Sequence, residues 1–595
     1  MSSQVVPVRE NDPQTGATNA DAHIDRRSSE EKKKTASTNG TDSDKKDDPL
    51  HHTKGELIDP EDLGKRLEAS GVSDSYERKV YILNRVMNEH IGMGKFQWAL
   101  FLLSGFGWFV DNLWLQGVAI ILPAVQREFG KGQIQWMTFA LYIGLIIGAA
   151  GWGILADVIG RRLAFNATLA LSGIFGIAAG GAPNFVGLGG LLCALGVGLG
   201  GNLPVDGMLF LEFIPGDKQY LLTLLSVFWS LGQLFASLIA WAFIANYTCQ
   251  GSNLETSTYY REFGRCAAAD NMGWRYTFYT LGAVTFVMFL CRFAVFQLPE
   301  SPKFLVAQGR DAEAVRTLRE IARRNGKELG DDVISVSILR SAAGEEVGMD
   351  EEADLPEDKR GFVGLAHSLI AVPKQLAGAM KNFRISNLKP DMAHVTPLFS
   401  GKGMAINTTF IFILWAFIGL AYPLFNAFLP LYLQNKQLDT SANTVSQTYS
   451  EYAYISICGV PGSIIAAWMV DLPRSGRRGA MAIGTLLTGV FVFAGTAAPN
   501  RQAFLAFNCL EACFQNIMYG VLYAYTPEVF PAPHRGTGDG IASSLNRLFG
   551  LFSPIIAIYG ATVPNAPVYT SGALFLFCAV LMCFLRVDSQ GKTAL

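Results

Sequence analysis

Long apolar runs, separated by short polar breaks, make up most of the chain after residue 95. Twelve such runs are present, each close to the roughly 20 residues that an α-helix needs to cross the hydrocarbon core of a bilayer. The runs are numbered spans 1 to 12 and cover 97–122, 134–156, 163–182, 186–212, 219–246, 274–298, 408–433, 449–470, 479–498, 502–526, 536–561 and 567–587. The pattern predicts an all-α polytopic membrane protein with twelve transmembrane helices.

The composition agrees with a membrane protein. Hydrophobic residues make up 50% of the 595 residues and charged residues only 16%, whereas soluble domains carry about 25% charged residues. The net charge of −2 carries no information about partners, because the charges are concentrated in polar segments outside the spans. A lipid bilayer is therefore the expected surrounding, and no nucleic-acid partner is expected.

Polar segments frame the spans. Residues 1–95 lack an apolar run and are rich in Ser, Asp, Lys and Glu, so a disordered tail without a cleavable signal peptide is expected. Residues 299–405 are predicted to form a cytoplasmic central loop with amphipathic helices at 311–329 and 362–380. The predicted domains are completed by six-helix bundles at 96–298 and 406–588 and by a cytoplasmic tail at 589–595.

The distribution of basic residues predicts the orientation, because loops rich in Lys and Arg stay on the cytoplasmic side. Most of the basic loop residues fall on the side of the N-terminal tail: Arg161, Arg162, Lys218, Arg474, Arg477, Arg478 and Arg535. Arg261, Arg265 and Arg275 fall on the opposite side and weaken the bias. The expected topology has both termini in the cytoplasm, in the plasma membrane by default, with an internal membrane as the alternative.

Two of the nine cysteines stand apart from the others. Cys249 and Cys266 share the outward loop between spans 5 and 6, which makes them a candidate disulfide, with two free thiols as the alternative. Glycosylation of Asn246 in the same region stays open. No spacing of His and Cys indicates a metal site, so no metal is expected.

Two short motifs occur twice along the chain. "LADVIGRR" at 155–162 resembles "VDLPRSGRR" at 470–478, and "LEFIPGDKQ" at 211–219 corresponds to "PEVFPAPHRG" at 527–536. Arg161 and Glu212 are each 316 residues before their counterparts, and Asp157 is 314 residues before Asp471. The repeat predicts that six spans have been duplicated in the same orientation, as in transporters whose halves rock about a central site.

The repeated residues are candidates for gating, because opposite charges at the cytoplasmic rim can hold one conformation and release it in the other. The residues assigned to these motifs are Gly153, Asp157, Gly160, Arg161, Arg162, Glu212, Asp471, Arg477, Arg478, Glu528 and Arg535. The alternative is that the basic pairs only fix the topology.

Several segments resemble the major facilitator superfamily. "GILADVIGRR" at 153–162 is similar to its loop 2–3 signature, and "PESPKFL" at 299–305 and "YTPEVFPAPHRGTG" at 525–538 resemble the sugar-porter signatures. "GKFQWAL" before span 1, "GGNLPVDGMLFLEFIP" in span 4 and the final "DSQGK" resemble synaptic vesicle two-related transporters and bacterial nicotinate permeases. The resemblance implies two pseudo-symmetric six-helix bundles, alternating access, proton coupling and a monomer.

The resemblance also implies that helices 1, 4, 7 and 10 line the central cavity. Asp111, Asp206 and Glu511 lie on three of these helices, and Arg547 lies on span 11 beside them. A charge inside hydrocarbon costs a few kcal/mol, so it needs a partner, water or a function. Asp111 is the first candidate for proton coupling, and Arg547 is the candidate partner of Asp111, Glu511 or a substrate carboxylate.

Two alternatives stay open for these charges. They can form a structural buried ion pair, and Asp206 can belong to an inner gate. Neutral side chains are predicted to complete the pocket, with Tyr422 and Asn426 favoured over Asn202, Asn516, Tyr519 and Tyr523. The glycine-rich stretch 196–204 predicts an irregular helix in span 4. The alternative for the neutral residues is packing between helices.

The leading hypothesis is a secondary active transporter that carries a small polar metabolite by alternating access, by proton symport of an organic acid or similar anion. The charge on Arg547 favours an anion over a sugar. A hexose transporter and a non-transporting receptor with a transporter fold are the alternatives. The chain has no nucleotide-binding loop, nucleophile elbow or zinc motif, so no enzyme activity and no cofactor other than the coupling proton are expected.

Overall fold

The computed structural model describes residues 75–130, 133–159, 161–218, 220–249, 258–296, 298–345, 395–399, 401–435, 444–470, 472, 476–530, 535–559 and 566–585. Within these ranges every regular element is a helix. The predicted helix at 362–380 and the tail at 589–595 lie outside the described residues, as do Gly160, Asp471 and most of the N-terminal tail.

Helices are present at all twelve predicted spans. Their bounds, in order, are Lys95–Phe129, Trp136–Ile159, Arg161–Gly180, Phe185–Leu199 with Asn202–Phe213, Leu221–Leu224 with Ser226–Tyr247, Gly273–Leu290 with Cys291–Val295, Lys402–Asn426, Val445–Val470, Gly476–Thr496, Arg501–Val529, Arg535–Gly550 with Phe552–Tyr559, and Ala566–Cys583. In the described part of the chain, ten helices are long and apolar enough to cross a membrane. Spans 2 and 10 are helical but fall outside that set.

The helices pack in two halves with the same internal arrangement. In the first half, span 1 packs on span 5, span 2 on span 4 and span 3 on span 6. The second half repeats the scheme, since span 7 packs on span 11, span 8 on span 10 and span 9 on span 12. Spans 5 and 8 join the halves, and spans 2 and 11 make the equivalent contact. The duplication seen in the sequence motifs is therefore also present in the helix packing.

Glycines let span 4 approach span 2 closely. A Cβ atom on Gly144 or Gly148 would overlap the backbone of Cys193 or Val197, and one on Gly196 would overlap the backbone of span 2. The glycine content that makes span 4 the least obvious apolar run is therefore a packing requirement. Span 4 is interrupted between Leu199 and Asn202, as the glycine-rich stretch predicts.

The two ends of the bundle are named by what they carry. The tail face contains the first residues of spans 1 and 3 and the C-terminal end of span 4. The disulfide face contains the end of span 1 and the Cys249–Cys266 bond, which joins the two cysteines of the loop between spans 5 and 6. The backbone of that loop bonds to span 1, because the Cys266 N–H donates to the Arg127 carbonyl over 2.9 Å.

The segment that precedes span 1 differs from the expected disordered tail. Residues Ser75–Val86 form a helix that continues as one π-helical turn to Ile91. Its apolar residues Ile82, Leu83 and Val86 are buried, and the Lys79 ammonium lies 2.8 Å from the Asp311 carboxylate. The segment is ordered because its apolar side chains find a partner surface on the central loop.

That surface is made by three short helices after span 6: Pro302–Ala307, Asp311–Arg324 and Val336–Ala343. The helix predicted at 311–329 is present as Asp311–Arg324, with Val315, Leu318 and Ile321 fully buried. Asn325 ties this cluster to span 1, because its side chain accepts the Phe96 N–H and donates to Gln97. The tail face of the first half therefore carries a small helical subdomain.

Candidate functional site

Asp111 and Arg547 face each other at the centre of the bundle. Asp111 is fully buried, and its Oδ2 lies 4.0 Å from Nη2 of Arg547, which is 4% exposed. Neither carboxylate oxygen of Asp111 has a hydrogen-bond partner among the described residues, and neither does Nε of Arg547. The pair joins span 1 of one half to span 11 of the other. Its charges attract each other, but they are not locked together by hydrogen bonds.

Asp206 occupies a different environment from the one expected. Its carboxylate pairs with Arg292 of span 6, with 2.5 Å between Nη2 and Oδ2 and 3.3 Å between Nη1 and Oδ1. Both side chains are fully buried within the first half, and Arg292 also donates to the carbonyls of Leu103 and Phe165 over 2.9 Å each. Asp206 therefore forms a buried ion pair with Arg292, which was the structural alternative, and its predicted place in the substrate cavity stays a prediction.

Glu511 is buried in span 10 and has no basic partner among the described residues. Its Oε1 accepts a 2.7 Å bond from Gln515, while Oε2 has no partner in this part of the structure. Gln515 in turn accepts a 3.0 Å bond from the side-chain amide of Asn426 in span 7. The structure thus links Glu511 to Asn426, whereas Arg547 lies beside Asp111.

A chain of neutral polar groups crosses from span 1 to spans 7 and 8. Gln116 donates to the Tyr422 hydroxyl over 2.6 Å and accepts a bond from the Tyr452 hydroxyl. Tyr422 also donates to Asn112 over 3.3 Å, and Asn112 donates to the carbonyl of Trp229 in span 5. Amide and phenol groups from both halves therefore meet near the centre of the bundle.

Aromatic side chains close this centre toward the tail face. Tyr523 packs edge-on against Trp108 and Trp415, with ring centroids 5.1 and 4.8 Å apart. Tyr519 stacks on Trp229 at 6.3 Å and meets Tyr422 edge-on at 5.1 Å. The small cavities beside these rings have volumes of about 10 and 20 Å³, which is room for about one water each. The rings therefore leave little free space beside them in the described part of the bundle.

The other predicted pocket residues are also buried. Neither side-chain polar atom of Asn202, at the break in span 4, has a partner among the described residues. Asn516 accepts a 2.7 Å bond from Ser230, so it lies at the contact between the halves. Asn202 thus has unused hydrogen-bonding capacity within the described part of the bundle, and Asn516 belongs to the interface between the halves.

The gating motifs form matching ion pairs on the tail face. Arg161 at the start of span 3 pairs with Glu212 at the end of span 4. In the second half, Arg477 pairs with Glu528, with 2.9 Å between Nη2 and Oε1. The two pairs occupy equivalent positions in the repeat, so the duplicated residues make duplicated contacts.

Glu300 of the "PESPKFL" motif lies beside the ion pair of Arg161 and Glu212 and bonds to the backbone of Arg161. Its Oε1 accepts the Arg161 backbone N–H over 3.1 Å and the Ser301 N–H over 3.2 Å. Burial raises the pKa of the Glu300 carboxyl, and the hydrogen bonds from the backbone of Ser301, Arg161 and Arg162 oppose that shift. A carboxylate at the first turn of span 3 also suits the positive end of the helix dipole.

The remaining motif residues are described only in part. Arg478 donates to the Cys583 carbonyl over 3.3 Å, and the carbonyl of Arg162 accepts a bond from Asn166. Gly153, Asp157 and Arg535 lie on helices, but the side chains of Asp157 and Arg535 are outside the described set, and so are Gly160 and Asp471. The described residues hold no group of His, Cys, Asp and Glu that could bind a metal ion.

The sequence reading missed several polar groups that contribute to this arrangement. Arg292, Gln116 and Tyr452 all lie inside predicted spans and were not singled out. Arg292 could have been found from the sequence, because an arginine within an apolar run needs a buried partner. The sequence gives no comparable indication for Gln116 and Tyr452, since neutral polar residues are common in packed transmembrane helices.

Comparison with known proteins agrees with the two-half architecture. The profile of the Major Facilitator Superfamily matches residues 98–475 and 452–594. The MFS proton:xylose symporter XylE, solved with 6-bromo-6-deoxy-D-glucose, superposes with a TM-score of 0.58 at 16% identity, covering 84% of this chain and 98% of XylE. That likeness shows the fold.

Curated relatives cover nearly the whole chain. The MFS siderochrome iron transporter 1 of Ceriporiopsis subvermispora is 41% identical over 562 residues, which is 94% of this chain and 100% of the relative. The niacin transporter NiaP of Acinetobacter baylyi is 26% identical, covering 85% of this chain and 97% of NiaP. The synaptic vesicle 2-related protein of Xenopus laevis is 24% identical, covering 85% and 80%.

The fold, the repeat and these matches define a secondary transporter. The chain belongs to the major facilitator superfamily, as its motifs predicted. It is an integral, multi-pass membrane protein and a secondary transporter rather than an enzyme.

Proposed function

We propose that the protein carries a small organic acid together with a proton. The observation that carries the proposal is the buried pair of Asp111 and Arg547, 4.0 Å apart, in which both carboxylate oxygens lack hydrogen-bond partners among the described residues. Because this pair joins the two halves, its state of charge affects how the halves fit together.

The ion pair of Asp206 and Arg292 provides a structural comparison for the pair of Asp111 and Arg547. Asp206 and Arg292 are joined by two hydrogen bonds within one half, of 3.3 and 2.5 Å. A buried charge left without such bonds is costly, so the looser contact of Asp111 suits a carboxyl that changes its protonation state. When Asp111 takes up a proton, the Arg547 guanidinium is left free to bind a substrate carboxylate.

The substrate class follows from the groups around Arg547. A guanidinium binds carboxylates through two parallel hydrogen bonds, and Trp108, Trp415 and Tyr523 offer flat faces nearby. One relative is named as a niacin transporter, and niacin is an aromatic ring that bears one carboxylate. A ring carboxylate therefore satisfies both the charge and the shape of the centre.

A sugar substrate is the second candidate. The cluster of Asn112, Gln116, Tyr422, Asn426 and Gln515 presents neutral amides and phenols, which suit hydroxyl-rich ligands. The fold is that of a proton:xylose symporter, XylE. This reading leaves the Arg547 charge without a role in binding.

The proposal also sets the topology. The tail face is placed in the cytoplasm, because Arg161, Arg162, Arg477 and Arg478 begin spans 3 and 9 there. The Cys249–Cys266 disulfide on the other face suits an oxidising compartment. The transporter is taken to work as a monomer in the plasma membrane.

The test uses purified full-length protein in liposomes with an imposed pH gradient. Uptake of labelled niacin and xylose is measured for wild type, Asp111→Asn and Asp270→Asn. Asp270 is exposed on the disulfide face, so its variant makes the same chemical change away from the centre. Empty liposomes correct for weak acids that cross the bilayer unaided.

Wild type is expected to accumulate niacin when the outside is acidic, and Asp270→Asn to match it. Asp111→Asn is expected to lose accumulation but to keep exchange of internal for external niacin, because exchange needs no release of the proton. If Asp111→Asn accumulates niacin as well as wild type does, Asp111 is not the residue that couples transport to the proton. Uptake of xylose alone would favour the sugar candidate, and binding without any uptake would favour a receptor.

A further inference from the structure

Arg127 lies at the last turn of span 1, on the disulfide face. Its Nη1 donates a 3.1 Å bond to the carbonyl of Cys249. That is its only side-chain hydrogen bond in the described part of the chain, and no described carboxylate forms an ion pair with it. A positive charge with unused donors therefore stands near the mouth of the bundle.

The acidic residue beside it is already engaged. Both oxygens of Glu128 accept bonds from Arg275, over 2.7 and 2.8 Å, and Trp274 donates to the same carboxylate over 2.8 Å. Glu128 therefore does not neutralise Arg127. Among the described residues, therefore, no carboxylate competes with an external anion for Arg127.

Arg127 faces a small cavity where the two halves meet. The cavity has a volume of about 10 Å³ and is lined by residues of spans 1, 5 and 8, among them Arg127, Thr248, Thr448 and Tyr449. The Thr248 hydroxyl in this lining is buried and has no hydrogen-bond partner among the described residues. A second unused polar group thus lies in the same cavity as the guanidinium.

The cavity is placed to change size during transport. Span 1 and span 5 belong to the first half and span 8 to the second, and Tyr449 of span 8 donates to the Ile120 carbonyl of span 1 over 2.9 Å. Separation of the halves on the disulfide face breaks this contact and opens the cavity to solvent. The Arg127 guanidinium and the Thr248 hydroxyl would then be exposed in the conformation that is open on that side.

We propose that Arg127 and Thr248 form an outer anion site that captures the substrate carboxylate before it reaches Arg547. The inference rests on the proposed transport of an organic acid. Arg127 is 16 residues after Asp111 in one helix, which separates the two sites by roughly 24 Å along its axis. The guanidinium supplies charge and a fork of N–H donors, and the Thr248 hydroxyl supplies one further donor.

The test compares Arg127→Gln, Arg127→Lys and Thr248→Val with Arg265→Gln in the full-length protein in liposomes. Arg265 is exposed in the same disulfide-face loop, and its guanidinium lies over the Phe263 ring, so its variant makes the same charge change without touching the cavity. Initial rates of uptake are measured over a range of niacin concentrations from the disulfide face. The neutral ring nicotinamide serves as a competitor.

Arg127→Gln is expected to raise KM for niacin about tenfold, equivalent to about 1.4 kcal/mol, with the maximal rate within twofold of wild type. Arg127→Lys is expected to recover most of the affinity, Thr248→Val to raise KM by a smaller factor, and Arg265→Gln to behave as wild type. Competition by nicotinamide is expected to be equal in all variants. The increase in KM is expected to shrink at high salt, because the attraction is electrostatic.

An unchanged KM in Arg127→Gln, or an equal change in Arg265→Gln, would overturn the outer site. So would a lowered maximal rate with unchanged KM, because that result indicates a structural role in holding the disulfide loop. If wild-type protein takes up no niacin at all, the proposed function fails first. The outer site is then tested by comparing, in wild type and Arg127→Gln, the rate at which an anionic and a cationic thiol reagent modify a cysteine placed at Thr448. Loss of the preference for the anionic reagent in Arg127→Gln supports the site, and equal preference in both proteins refutes it.

Discussion

Replacing Asp206 by Asn tests whether the charges inside the first half are structural. The substitution leaves the Arg292 guanidinium fully buried without a compensating negative charge, and its acceptors are then the neutral amide oxygen of Asn and the carbonyls of Leu103 and Phe165. Two hydrogen bonds to a carboxylate are lost or weakened. Removing one partner of a buried ion pair destabilises a protein by about 3–5 kcal/mol, so Asp206→Asn is expected to be strongly destabilising.

Removing both charges should cost much less. The double variant Asp206→Leu with Arg292→Met fills the same space without an unpaired charge, and such replacements are often neutral or stabilising. Asp111→Asn is the matched control at the centre of the bundle, because Asp111 accepts no hydrogen bond from the described residues. We expect that control to lower stability by less than half as much as Asp206→Asn.

The assay is thermal unfolding in detergent, followed by tryptophan fluorescence at one fixed scan rate, because unfolding of such proteins is often irreversible. The expected order of apparent Tm is wild type, then Asp111→Asn and the double variant, then Asp206→Asn. The reasoning is wrong if Asp206→Asn has the same apparent Tm as wild type. It is also wrong if the apparent Tm of the double variant is no higher than that of Asp206→Asn.

Three further predictions follow from named contacts. Gly107→Ala is expected to lower the apparent Tm, because its Cβ would overlap the Asp206 carboxylate; an unchanged Tm contradicts the close packing. Arg477→Glu is expected to abolish most transport. Adding Glu528→Arg is expected to restore it, because the reversed charges rebuild the ion pair. If the charge-swapped double variant does not regain uptake, the ion pair has only a topological role. Burial raises the pKa of Glu300 above its ordinary 4.5, so the folded protein binds this proton more tightly than the unfolded chain, and stability falls as the pH rises from 4.5 through the raised pKa. Glu300→Gln is expected to flatten that fall in a series of Tm measurements, and an unchanged slope would count against Glu300 as its source.

Much of the fold could be predicted from the sequence, because its signals are run lengths and repeated motifs that can be read directly along the chain. Run length predicted helices at all twelve spans, and the offset of 316 residues between Arg161 and Arg477 predicted two equivalent halves. The helix Ser75–Val86 was missed because its order depends on a distant surface. Its buried side chains pack only once the central-loop helices, more than 200 residues later, are in place.

The candidate site was harder to predict for the same reason. Asp111 and Asp206 look alike in the sequence, since each is a carboxylate in an apolar run. What distinguishes them is the partner: Asp206 meets Arg292 from span 6 in its own half, while Asp111 meets Arg547 from the other half. Helix depth can be read from residue number, but rotation about the helix axis decides which neighbour a side chain meets.

The distribution of polar contacts is compatible with the rocking of two halves that the repeat predicts. Close, hydrogen-bonded ion pairs lie within one half, as in Asp206 with Arg292, Glu128 with Arg275 and Glu451 with Arg501. Between the halves, spans 5 and 8 meet through hydroxyls, with Ser230 2.7 Å from Ser463 and Ser237 2.8 Å from Ser456.

A neutral hydrogen bond contributes only about 1 kcal/mol net, so such contacts can be exchanged one at a time as the halves rock. The long pair of Asp111 and Arg547 crosses this same weak interface. Under the proposed proton-coupled transport of an organic acid, a proton or a substrate carboxylate at that pair would act at the interface between the halves, so both could influence the same conformational change.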